Sequence, residues 1–117
     1  MREELKAREV MEEENLEDEG GEVDFMLVQL SKPYRFERKE IREVDLNGLE
    51  NLTGADMITI NRMMKKRGNT DASPEITLEF AFFAAMQATD LPLEFFYSLT
   101  MKDSMRIKTR VNYFLMY

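Results

Sequence analysis

From Ile76 to Ala88 the chain carries apolar residues on almost every side of the helix it would form, through Ile76, Leu78, Phe80, Phe82, Phe83, Ala84, Ala85 and Met86. A helix without a polar face has to be enclosed by other elements. The remaining residues must therefore build a jacket around it, and 117 residues are the size of one such domain. The start of this helix is marked by Ser73-Pro74-Glu75, which offers an N-cap, a proline at the first helical position and an early acid. The pattern predicts a buried helix over 74–88. There is no cysteine, so burial has to hold the fold without disulfides or thiolate metal sites.

Ahead of this helix, Phe25 to Leu30 is a short apolar run stopped by Ser31-Lys32-Pro33, which reads as a strand. After a charged turn around Glu37 to Lys39, Arg42, Val44 and Leu46 alternate with Ile41, Glu43 and Asp45, as in a second strand returning on the first. Together they predict a hairpin over 24–46. Thr53-Gly54-Ala55-Asp56 has capping-box spacing and opens a helix over 54–67, with Met57, Ile60 and Met64 on one side. Lys65-Lys66-Arg67 suits the negative end of that helix, and Gly68 suits the left-handed residue after it. Pro92 opens a short helix over 92–98. Thr100 to Asp103 repeats the capping spacing ahead of a last helix over 101–116, with Ile107, Val111 and Phe114 sharing a side. The expected fold is α+β, mainly α: an N-terminal β-hairpin followed by a small bundle of about four helices, all in one domain spanning 24–117.

Charge is segregated along the chain. Residues 1–24 hold 11 acidic and 3 basic side chains, while the rest hold 12 and 13, so nearly all of the net −7 lies at one end. With only Leu5, Val10, Met11 and Leu16 among glutamates, residues 1–23 read as an acidic, flexible arm. Asn15 to Asp24 has oxygen-bearing side chains ahead of Gly20, in the manner of a calcium loop. The match fails at Glu22 and at Met26, where the bidentate glutamate should stand. The opening Met-Arg-Glu-Glu-Leu-Lys has no apolar run behind it, and nowhere do eighteen apolar residues follow one another. No signal peptide or membrane span is expected, and the protein is placed in the cytoplasm.

Histidine is absent as well, which removes the usual general base and most transition-metal ligands. Asp45, Asp56 and Asp103 stand where turns and helix caps already explain them. No glycine loop has phosphate-binding spacing, and an acidic arm on a near-neutral body opposes nucleic acid. Neither catalysis nor a cofactor is expected. The ten methionines are a different matter. With Phe95, Phe96, Tyr97, Tyr113, Phe114 and Tyr117 they supply more adaptable apolar surface than a core of this size obviously requires, which leaves two readings open: all of these side chains fill one core, or some of them form an exposed binding surface.

The order of features resembles one family, the tail assembly chaperones of long-tailed bacteriophages and prophages. The matching pieces are Leu30-Ser-Lys-Pro-Tyr34, the turn Phe36-Glu-Arg-Lys39, the strand end Val44-Asp-Leu46 and Gly48-Leu-Glu-Asn-Leu-Thr-Gly-Ala-Asp56. Leu91-Pro-Leu-Glu94, Leu99-Thr-Met-Lys-Asp-Ser-Met105 and Val111-Asn-Tyr-Phe-Leu115 follow. The likeness spans roughly 24–117 and leaves out the acidic arm. Arg38 departs from the glycine common in that turn.

The resemblance implies a non-enzymatic protein of the bacterial host cytoplasm, absent from the mature virion. It would coat the tape measure protein, keep it soluble and help tail tube subunits polymerise around it. The expected contact surface is the short helix through Phe95, Phe96 and Tyr97 and the last helix through Met101, Met105, Tyr113 and Phe114. Self-association is a further expectation, from the unpaired edge of the hairpin. Two other readings are a structural tail or neck component of the virion and a small acidic regulator that binds a host protein.

Overall fold

The computed structural model describes residues 24–117. The acidic arm expected over 1–23 and the calcium-like run beginning at Asn15 fall outside the described residues. The rest follows the expected plan, a two-stranded antiparallel hairpin followed by four α-helices. The strands are β1 (Leu27–Phe36) and β2 (Lys39–Asp45), and the helices are α1 (Gly54–Lys66), α2 (Leu78–Ala88), α3 (Leu93–Tyr97) and α4 (Met101–Met116).

β1 is longer than its sequence suggests, because Pro33 does not end it. Pairing runs from Leu27 with Asp45 to Gln29 with Glu43, breaks, and resumes from Tyr34 with Ile41 to Phe36 with Lys39. Leu30 to Pro33 therefore stand opposite Arg42 alone, a wide bulge in which a proline costs no ladder bond. The turn between the strands is two residues long, and both have positive φ, 50° at Glu37 and 70° at Arg38. Such a turn normally takes Asn-Gly. Here two charged residues are held in the left-handed region by the ladder on either side.

Asn47–Asn51 forms a single 3₁₀ turn whose Gly48 lies against the end of α2. A Cβ at that position would be 2.3 Å from the carbonyl oxygen of Ala88, so the two backbones meet only because position 48 has no side chain. α1 begins as predicted. The Thr53 hydroxyl accepts from the Asp56 amide, and the Asp56 carboxylate accepts from the Thr53 amide at 2.8 Å. Gly68 takes φ 95° after the helix, the left-handed position expected of it.

The start of the central helix differs from the prediction. Ser73 and Pro74 open only a 3₁₀ turn, Pro74–Ile76, and Thr77 is extended at φ −87°, ψ 159°. Thr77 then caps α2 by accepting from the Phe80 amide at 3.1 Å. The break turns Ile76 outward, so it is 54% exposed and not part of the buried helix. From Phe80 to Ala85 every side chain is buried. α1, α3, α4 and the Asn47–Asn51 turn all pack on this segment. The hairpin contributes Val28, Tyr34, Val44 and Leu46 to the same core. Each fully buried aliphatic or phenylalanine side chain contributes about 1.5–3 kcal/mol.

Candidate interaction surface

The core consumes some of the aromatic and thioether side chains, and the rest define the surface. Ile107 and Val111 lie inward on α4 and are fully buried. On the opposite side Met101, Met105, Thr109, Asn112 and Met116 recur at intervals of four, four, three and four, forming one stripe along a helix about 24 Å long. Met101 is 87% exposed, Met105 51% and Met116 73%. Long thioether side chains on an outward stripe can reshape themselves to a partner.

Beside this stripe stands an aromatic cluster. Tyr113 lies 4.6 Å from Phe25 and 4.9 Å from Tyr117, centroid to centroid. Arg110 fastens Phe25 in place, its guanidinium 4.6 Å from the ring centroid and its Nε donating to the Phe25 carbonyl at 3.0 Å. Burial of this guanidinium, with Arg106 nearby, lowers its pKa from the ordinary arginine value. Phe25, Met26, Tyr113, Phe114 and Tyr117 line an open groove there. On the other flank Ile76, Leu115 and Met116 line a smaller pocket. Of the ten large apolar residues exposed among the described residues, six belong to α4 and its C-terminal cap, so the surface is in essence one helix.

The residues singled out from the sequence divide into three groups. Met101, Met105 and Tyr113 are exposed on α4. Phe95 and Phe96 are not surface residues: both are fully buried, with Phe95 edge-on to Tyr34 and Phe36 and Phe96 stacked 5.9 Å from Phe82. α3 is a single short helix folded onto α2, and its two adjacent phenylalanines point into the core. Phe114 is half-buried and lines a largely apolar cavity of about 190 Å³, together with Leu49, Leu52, Met57, Phe80 and Val111. Tyr97 is 48% exposed but bound into a polar cluster. Its hydroxyl accepts from Arg67 at 3.3 Å and donates to Glu79 at 3.2 Å, and its ring packs on Phe82. Tyr97 and Glu79 raise the Arg67 pKa further above its ordinary value, Tyr97 having the larger effect.

The contact surface expected from the sequence left out Phe25, Ile76, Met116 and Tyr117, although Met116 and Tyr117 belong to the thioether and aromatic set from which it was drawn. Met116 was accessible to sequence reasoning, since 101, 105, 112 and 116 share a side of any helix through them. Phe25 and Ile76 reach the patch only through the tertiary fold.

α4 is held to the hairpin by its first turn. The Asp103 carboxylate is fully buried and accepts from the Ser31 amide at 3.0 and 3.2 Å, the Ser31 hydroxyl at 2.8 Å and the Tyr34 hydroxyl at 2.7 Å. The Tyr34 hydroxyl accepts in turn from the Thr100 amide at 3.1 Å. Burial opposes the charge on Asp103, but the hydrogen bonds from Tyr34 and Ser31, with Arg106 beside them, outweigh it and hold the carboxyl below the usual aspartate range. This network orients the helix that carries the exposed stripe.

The family model described as phage tail assembly chaperone proteins, E, or 41 or 14, matches residues 27–116. The chain belongs to this family. The match takes in the whole hairpin and all four helices, and so includes every surface residue named above except Phe25, Met26 and Tyr117. Comparison with curated proteins and with solved structures gives no match. Among the described residues, no helix of this tail assembly chaperone is long and apolar enough to cross a membrane.

Proposed function

We propose that this tail assembly chaperone binds the tape measure protein through α4, keeps it soluble and promotes polymerisation of tail tube subunits around it. The observation that carries this reading is the concentration of exposed large apolar side chains on one helix of a chain in this family. A long, helix-rich client presents apolar stripes to water until the tube encloses it. A stripe of Met101, Met105 and Met116, flanked by Tyr113 and Phe25, can cover such a stripe and let it go again, because thioethers adapt without a fixed geometry. Binding and release are the whole of the task, so the role calls for no catalytic residue and no cofactor. The protein would act in the cytoplasm of the bacterial host and leave before the virion is complete.

The test is coexpression with tape measure segments. Met105→Ser combined with Tyr113→Ser should sharply reduce the soluble yield of the client while leaving the circular dichroism and melting of the chaperone near the parent values. An unchanged soluble yield would reject α4 as the contact surface. Stoichiometric recovery of the chain from purified virions would replace the chaperone reading with a structural one.

A further inference from the structure

The hairpin has two outer edges, and α4 covers one of them. At the bulge of β1 the Ser31 amide donates to Asp103 and the Gln29 carbonyl accepts from Arg106 Nη1 at 2.9 Å, so backbone groups released from the ladder are paired with the helix. Among the described residues the sheet ends on its other side at β2, where Lys39, Glu40, Arg42, Glu43 and Asp45 are all exposed and Ile41 is half-buried. An uncovered strand edge is a template for another strand.

Charges on an edge usually deter pairing, but here their order favours it. A strand paired antiparallel with a copy of itself around a two-fold axis must have one of its own residues on that axis. Each backbone amide points the same way in both copies, which rules out registers centred between residues. Centring on Glu40, Arg42, Glu43 or Asp45 sets like charges face to face, and centring on Val44 opposes Glu43 to Asp45. Centring on Ile41 does neither. It sets Ile41 against Ile41, Lys39 against Glu43 and Glu40 against Arg42, and the symmetry makes each charge pair twice.

We propose that β2 pairs with β2 of a second copy in this register, giving a continuous four-stranded antiparallel sheet with Ile41 on the axis. A seven-residue edge buries less than the roughly 1,200 Å² of a stable interface, so the dimer is weak and depends on concentration. It would present two α4 surfaces on one particle, which suits a long client with repeated stripes. The dimer does not rest on the client reading, because it is measured with the pure protein.

Sedimentation equilibrium of the full chain over a wide concentration range should show a reversible monomer–dimer equilibrium. Arg42→Glu opposes two acids at two places across the axis and should weaken the dimer about 30-fold, taking each pair at its usual cross-strand value. Lys39→Glu should weaken it similarly by an independent pair. The exchange variant Glu40→Arg/Arg42→Glu restores opposite charges at the same places and should restore dimerisation. A wild-type chain that stays monomeric overturns the proposal, as does an undiminished dimer in both single variants or an exchange variant that fails to recover.

Discussion

Asp103 occupies the third position of α4, where its spacing from Thr100 reads as half of a capping box. The Thr100 hydroxyl does accept from the Asp103 amide, at 3.2 Å. The Asp103 carboxylate, however, turns away to β1, and the Tyr34 hydroxyl takes over the Thr100 amide. Asp103→Asn would put an amide NH₂ where three hydrogens already point, leaving buried donors without acceptors. A loss of about 2–3 kcal/mol at pH 7, read from urea unfolding, is expected. The pH dependence has a definite sign. The folded-state pKa lies below the unfolded value of about 3.9, so the stabilisation is complete above about pH 4. It is lost as the pH falls through the folded value. The Asn variant should therefore lose less stability than the wild type between pH 5 and pH 2. A parallel acid limb in the two proteins would show that the charge of Asp103 does not matter.

Helix termini show how far local patterns reach. Thr53 with Asp56, and Gly68 after α1, behave as their spacing requires, because a cap is made within four residues and needs no distant partner. Ser73-Pro74 has an equally good signature, yet the α-helix starts four residues later at Thr77. Two adjacent N-cap signals compete, and the extended backbone at Thr77, which lets Phe80 to Ala85 fill the core, decides between them. The two sites make a direct comparison. Thr77→Ala should cost about 1 kcal/mol in thermal or urea unfolding, whereas Ser73→Ala, which loses no side-chain cap, should be within about 0.5 kcal/mol of wild type. Equal effects would place the start of the helix at Pro74. β1 has a similar history. Proline is a sound stop signal for a regular ladder, and Pro33 was passed because a four-residue bulge lets α4 satisfy the backbone groups that the ladder gives up.

Across the whole molecule the aromatic residues fall into a core set and a surface set that composition does not separate. Phe96→Ser should cost at least about 3 kcal/mol, a large part of the stability of a domain this size, and many such molecules will unfold. Tyr113→Ser, at a half-exposed site, should cost under about 1 kcal/mol by the same denaturant titration. Near-equal losses would mean that Tyr113 is structural and would weaken the case for α4 as a binding surface. Local periodicity was enough to specify the hairpin and four helices, the last with one buried side, since the spacing of apolar residues within an element fixes which of them share a face. It also carried the family resemblance over most of the chain. What it left open was which way α3 turns, that Asp103 reaches 72 residues back to Ser31, and that Phe25 and Ile76 flank α4. These depend on contacts between segments far apart in the chain, where the packing of α2 sets the geometry and no spacing rule records it.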